Sequence, residues 1–371
     1  MNAVLGEAVH AKRVDSLADS VLGTMHAAKM AVSTIGRALA EAKGLESKHA
    51  IKQVDRLLSN AGIDVAASFE PWVRFIVGSR DAIVVAVDWT EYDHDDHATL
   101  TIHMVTSHGR ATPLMWKTVR KSRLRGKRNK HEDQLVARLR LLVPADTTVT
   151  VLADRGFGDA ALYTLLGRIQ LDHIIRFRGD VTVTDENGES RPAKEWLRPD
   201  GRARILRNVK VTKRNVPVPA IVCVWARDMD EPWFLACGEG SRTRTAAQLV
   251  KLYSRRFTIE ESYRDTKDVR FGKGLSMARI SSTDRRDRLL LLSALATALL
   301  TILGAAGESL GFDRLLRANT VRRRTHSLFF QGSHYFAALP NMKPDKRERL
   351  LAAFGELLVA QPLFRQLFGT L

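Results

Sequence analysis

Between Tyr253 and Lys267 the chain reads YSRRFTIEESYRDTK, and Tyr253, Arg256, Glu260 and Lys267 stand in it at offsets 0, 3, 7 and 14. At about 100° per residue these offsets fall on one narrow face of a helix. The face would carry a phenol, a guanidinium, a carboxylate and an ammonium in a row. That mixture suits a carboxylate holding a metal ion while cations grip phosphates on either side. Glu261 would point about 100° away, so Glu260 is the candidate ligand. An exposed helix laced with ion pairs has the same composition, so the reading needs support from elsewhere in the chain.

Two further carboxylates give it. Asp88 ends the apolar, β-branched run AIVVAV at residues 82–87, the pattern of a central strand buried on both faces. An Asp there is costly to bury unless it is paired or binds a cation. Asp154 ends VTVLA at residues 149–153 and leads into Arg155-Gly156-Phe157-Gly158, a strand, a carboxylate and a glycine-punctuated turn into a helix. Two strand-end Asp residues and a later helical Glu can assemble a divalent-metal site.

The elements that must position them follow from periodicity. Residues 98–106 alternate as a half-buried strand, 107–109 turn, 113–119 read as a third strand, 132–142 as a helix stopped by Pro144, 158–169 as a helix and 172–177 as a fifth strand. Three strands, helix, strand, helix, strand is the order of the ribonuclease-H-like fold. In that fold strands one and four are neighbours, which would bring Asp88 and Asp154 together across 66 positions.

With these residues the chain resembles the DDE transposases, in particular the insertion-sequence-four family of bacterial cut-and-paste elements. That family carries an Asp on the first strand, an Asp at the end of the fourth, and the helix signature Tyr-x2-Arg-x3-Glu-x6-Lys. Tyr253, Arg256, Glu260 and Lys267 match its spacing, and Asp154-Arg155-Gly156-Phe157 resembles the form around its second Asp. The resemblance spans roughly residues 45–310.

About 70 residues between the fifth strand and Tyr253 read as β-structure, at 181–184, 204–213, 216–225 and 232–237. Family members with such β insertions use a Trp to stack on a base flipped from a DNA hairpin end. Trp233, twenty residues before Tyr253, is the candidate, with Trp225 and Trp196 as rivals. The expected class is therefore α/β, a ribonuclease-H-like catalytic core interrupted by a β-strand insertion domain, with helical N-terminal and C-terminal regions. The boundaries are 1–75 (helical, DNA-end binding), 76–177 (first core part), 178–245 (insertion), 246–310 (second core part with the Glu helix) and 311–371 (helical).

Charge fits a nucleic-acid partner. With 58 Lys+Arg against 41 Asp+Glu the formal net charge is +17, and a basic protein gains by releasing the counterions of DNA. Residues 1–70 hold eight basic and eight acidic residues, so the surplus lies after Glu70. Its densest run is residues 117–130, with eight basic residues and no acid, including Lys121, Arg123 and Arg125, between the third strand and the next helix. Weaker clusters lie at 285–288 and 322–324.

Other features carry less. Cys223 and Cys237 could approach across paired strands, where the cytosol would keep them reduced. Asp93-His94-Asp95-Asp96-His97 reads as a loop between the first two strands rather than a metal site. Residues 289–303 are nearly all apolar but short for a bilayer, and are expected as a helix buried against the sheet. No signal peptide is read at the N-terminus. Helical spacing marks 8–42, 47–59 and the stretch after Pro344.

The resemblance implies a mechanism. Asp88, Asp154 and Glu260 would hold two Mg²⁺ (or Mn²⁺) ions about 4 Å apart for in-line displacement at phosphorus. Tyr253, Arg256 and Lys267 would contact phosphates near the scissile bond. Nicking, hairpin formation, hairpin opening and strand transfer would run at this one site. The implied partners are double-stranded DNA, as transposon ends and target, and a second copy in a synaptic homodimer. The implied location is the bacterial cytoplasm, at the nucleoid, with no membrane and no small-molecule substrate. The alternatives are a nuclease on the same fold that cuts without joining, and a domesticated, non-catalytic DNA-binding protein.

Overall fold

Ten strands form one continuous sheet in the computed structural model, in the order β3-β2-β1-β4-β5-β10-β9-β8-β6-β7. The structure describes residues 11–360 apart from 28, 109, 268–273 and 276–277. Residues 8–10 of the first expected helix, Gly109 of the expected turn, and the ends of the first and last expected domains, at 1–10 and 361–371, lie outside the described residues.

The strands at one end are β1 (Ala82–Tyr92), β2 (His97–Met104), β3 (Thr112–Arg120), β4 (Thr148–Ala153) and β5 (Asp172–Phe177). β1 pairs antiparallel with β2 and parallel with β4, and β4 runs parallel with β5. The parallel crossovers pass through α5 (Arg128–Leu142) and α6 (Ala160–Arg168). Beyond β5 the sheet is extended, through β10 (Trp233–Cys237), by β9 (Val216–Val224), β8 (Arg204–Val211), β6 (Thr182–Thr184) and β7 (Ser190–Pro192).

The pleat sorts side chains between two faces. Val85, Val87, Val151 and Ile175 join a large core that includes the N-terminal helices α1 (Ala11–His26), α2 (Val32–Lys43), α3 (Ser47–Ser59) and α4 (Val65–Val77). Ala86, Leu152, Ile174 and Leu235 face the other way, under α7 (Ala246–Ser254) and α8 (Thr258–Lys267), where they meet Leu249, Tyr253 and Ile259. By the same alternation Asp88 and Asp154 belong to the α7–α8 face.

α9 (Thr283–Ser309) is long and apolar enough to cross a bilayer, yet 72% of its apolar window is buried inside the protein. It packs on β3, α1 and α3, and on α10 (Leu328–Ala338) and α11 (Pro344–Val359). It is a core helix.

Five expectations need correction. β1 does not stop at Asp88: it runs on to Tyr92, because β2 continues to pair with it there. β2 is buried along its whole length, not half-buried, since its polar residues are covered too: Thr99 bonds Thr118, and Thr101 bonds Tyr263. The stretch from Tyr253 to Lys267 is not one helix, because a 3-10 turn at Arg255–Phe257 separates α7 from α8. Arg256 of the signature lies in that turn, between Tyr253 on α7 and Glu260 and Lys267 on α8. Cys223 and Cys237 do not face each other: their cross-strand neighbours are Phe234 and Ala220, and both thiols are free and buried. The basic run is not simply a connection, since it begins inside β3 and ends inside α5.

Candidate active site

Pairing between β1 and β4 ends at Val87↔Ala153. The next residue on each chain is the Asp, so Asp88 and Asp154 sit side by side where the two strands part. The Asp88 carboxylate accepts from the Trp89 amide at 2.8 Å. Asp154 accepts from the Gly156 amide at 2.8 Å, capping the 3-10 turn Arg155–Phe157. A Cβ at Gly156 would stand 3.0 Å from that carboxylate oxygen, so a larger residue there would have to shift the Asp154 side chain.

Burial raises the Asp88 carboxyl from its ordinary 3.8 to about 6, and the charge of Asp154 adds to it. Arg256 opposes the shift, and Glu260 contributes a smaller push upward. Three carboxylates therefore share one field.

Arg256 holds this group together. It lies in the 3-10 turn and is 7% exposed. Nη2 donates to Glu260 Oε1 at 2.6 Å, and Nη1 lies 3.8 Å from Asp88 Oδ2. Burial works against its charge, but Tyr253, Asp88 and Glu260 outweigh it and raise the guanidinium. Glu260 stands at the start of α8, half exposed. Its neighbour Glu261 turns instead to Arg110, 2.9 Å away, which also binds Asp265.

Tyr253 is 2% exposed, and burial pushes its phenol up to about 12. Its ring meets Trp233 edge-on, centroids 5.0 Å apart. Trp233 is half-buried and 6.0 Å from the exposed ring of Phe257. Of its rivals, Trp196 is buried beneath Arg191 and Arg204, whereas Trp225 is exposed. Lys267 reaches the far end of β1, donating to Thr90 Oγ1 at 2.9 Å and the Glu91 carbonyl at 3.1 Å. Burial lowers its ammonium. Its nitrogen lies 5.0 Å from the Tyr92 ring, which also carries the buried Arg286 at 3.8 Å.

The basic run stands beside this end of β1. Lys121 is bound by Glu91 and Asp93, each at 2.6 Å, and Arg128 also pairs with Glu91. Arg123 and Arg125 are exposed. In the loop after β1, Asp96 accepts from Ser122 and Asp95 pairs with Arg286.

Sequence reasoning missed the residues that dock α8. Ser262 Oγ donates to the Ala111 carbonyl at 3.0 Å and accepts from the Ala111 amide at 3.1 Å. The Tyr263 hydroxyl bonds Thr101 and lies 3.4 Å from the Asp88 carbonyl. Their only signal was position, two and three residues past Glu260 on the inward face of a short helix.

Among the described residues no three His, Cys, Asp or Glu side chains stand together as a ready-made metal cage. The donor chemistry nevertheless fits a hard divalent cation. Asp88 is disfavoured as an anion by burial and two like charges, and bound positive charge would relieve that. With this geometry the family match is informative: the transposase DDE domain matches residues 79–299. The chain belongs to that family, so it is a transposase and its partner is DNA. No curated protein matches it.

Proposed function

We propose that the protein is a cut-and-paste transposase of the insertion-sequence-four type. The observation that carries the reading is the convergence of Asp88, Asp154 and, through Arg256, Glu260 at one sheet end. The Tyr-x2-Arg-x3-Glu-x6-Lys spacing supports the same group. The strand order β3-β2-β1-β4-β5 supports a ribonuclease-H-like core, with β6 to β10 as its insertion and the segments at 1–75, 76–177, 178–245, 246–310 and 311–371 as its divisions.

Asp88, Asp154 and Glu260 would hold Mg²⁺ or Mn²⁺, which when bound supplies Lewis acidity to both oxygens of an in-line displacement at phosphorus. Arg256 stands between two of the carboxylates, placed to meet a phosphate oxygen there. Tyr253, packed beside it, orients that guanidinium. Lys267 contributes positive charge three strand residues further along β1, and Trp233 offers a ring for an unstacked base. Lys121, Arg123 and Arg125 extend the cationic track for flanking DNA. The working unit is a homodimer bridging two transposon ends, in the bacterial cytoplasm at the nucleoid.

The test is a gel of end DNA incubated with the protein and Mg²⁺. A hairpin product and a joined target product are expected. Asp88→Ala, Asp154→Ala and Glu260→Ala should each abolish nicking while keeping end binding. Metal-dependent nicking by any one variant removes that residue from the site. Cleavage without joined product would make the protein a nuclease.

A further inference from the structure

Unused chemistry lies at the opposite end of the sheet. Where β4 and β5 begin and α6 ends, the turn after β10 helps enclose a cavity of about 790 Å³. Thr148 on its wall is six residues before Asp154, which along a strand is about 20 Å from the carboxylates. Two of the lining residues, Tyr163 and His173, stack with ring centroids 5.4 Å apart and planes 8° from parallel. They are 6% and 3% exposed. The Tyr163 hydroxyl and both His173 ring nitrogens are closed off from solvent and have no hydrogen-bond partner among the described residues, so this ring pair offers the cavity its apolar surface. Burial lowers the His173 imidazole to about 4, so at neutral pH the ring is uncharged.

Two exposed carboxamides also line the cavity, and both have left-handed backbones: Gln170 at φ 57° and Asn208 at φ 50°. Asn208 interrupts β8 between the pairs Arg207↔Ala220 and Val209↔Val218, opposite Pro219, which has no N–H to give. Carboxamides are the groups that bond a base edge bidentately. Four cations line the cavity. Arg242 and Arg244 are engaged by Glu239 and Asp172. Arg168 and Lys210 are exposed, with no acidic partner among the described residues.

We propose that this cavity binds a nucleotide, with its base against Tyr163, His173 and the carboxamides of Gln170 and Asn208, and its phosphate on Arg168 and Lys210. The nucleotide is either free or one unit of a DNA strand. The site is separate from the carboxylates, so its failure leaves the transposase reading untouched.

Two measurements on the full chain in EDTA test it. In the first, dAMP, deoxyadenosine and inorganic phosphate are titrated calorimetrically. In the second, single strands carrying 5-iododeoxyuridine are photocrosslinked and the adducts mapped. One saturable dAMP site, at least tenfold weaker in Arg168→Gln and Lys210→Gln and unchanged in Arg349→Gln, an exposed position of α11, establishes a site for the free nucleotide. Adducts at Tyr163 or His173 without dAMP binding assign it to a DNA strand. Both substitutions change exposed side chains, and a melting curve verifies folding. The proposal falls if neither dAMP binding nor cavity adducts are found, or if the two substitutions leave the binding unchanged.

Discussion

Asp88→Asn should make the metal-free protein more stable while removing its activity. In the folded chain the Asp88 carboxyl stands at about 6 against an ordinary 3.8, chiefly through burial and the charge of Asp154. Between those two values the native state binds a proton that the unfolded state has lost. Stability therefore falls as pH rises through this window, and the full penalty is present above it. A shift of that size corresponds to about 3 kcal/mol. The side chain is only 19% exposed, so solvent screening takes little from it. Asn keeps an acceptor for the Trp89 amide and resembles the neutral acid. The variant should gain about 3 kcal/mol at pH 7.5 and none near pH 3.5. For a chain of this length that corresponds to about 4 °C in melting temperature. Urea or thermal unfolding in EDTA across this pH range reads it directly. Added Mg²⁺ should stabilise the parent and not the variant. A variant no more stable than its parent at pH 7.5, or a gain that persists in acid, refutes the reasoning.

Three further outcomes are expected. Ser262→Ala leaves the buried Ala111 amide and carbonyl without their side-chain partner; it should cost about 2 kcal/mol in urea unfolding and slow nicking while end binding persists. Arg123→Gln and Arg125→Gln should each lower the salt slope of DNA binding by about 0.9, whereas Lys121→Gln should lower it by less, because Glu91 and Asp93 already hold that charge; equal slopes for all three would count against a role for those ion pairs. Trp233→Ala should weaken binding of a hairpin end by about 1–3 kcal/mol relative to an unmodified duplex, and an equal loss on both would remove the stacking role.

Strands and helices with one clear period were legible in the chain itself. Residues 47–59 and 172–177 read as a helix and a strand from spacing alone and fold as α3 and β5 over those same bounds. Two of the differences share a cause: polar residues continue into the sheet where a partner covers them. β1 was ended at its first charge, but Trp89 to Tyr92 continue to pair with β2. β2 was read as half-buried because Thr99, Thr101 and His103 alternate with apolar residues, yet each of these has a covering partner in Thr118 or Tyr263. The break between α7 and α8 had no local signal, since Arg255-Arg256-Phe257 contains neither Gly nor Pro. What marks it is tertiary: there the Arg256 guanidinium is drawn in toward Asp88.

The spacing of the signature is informative because of what lies beyond that break. After the 3-10 turn, α8 runs alongside β1. Glu260 lies near Asp88, Tyr263 reaches the Asp88 carbonyl, and Lys267 reaches Thr90 and Glu91. Seven helical residues from Glu260 to Lys267 rise about 10.5 Å, and three strand residues from Asp88 to Glu91 advance about 10 Å. The two lengths match, so a carboxylate and an ammonium fixed on the helix meet fixed points on the strand. The three-residue step from Tyr253 to Arg256 crosses the turn instead, which is how Tyr253 comes to lie in the core beside Trp233 while Arg256 reaches both carboxylates. The spacing thus measures a strand: one residue added to α8 after Glu260 would turn Lys267 by about 100° and carry it off β1.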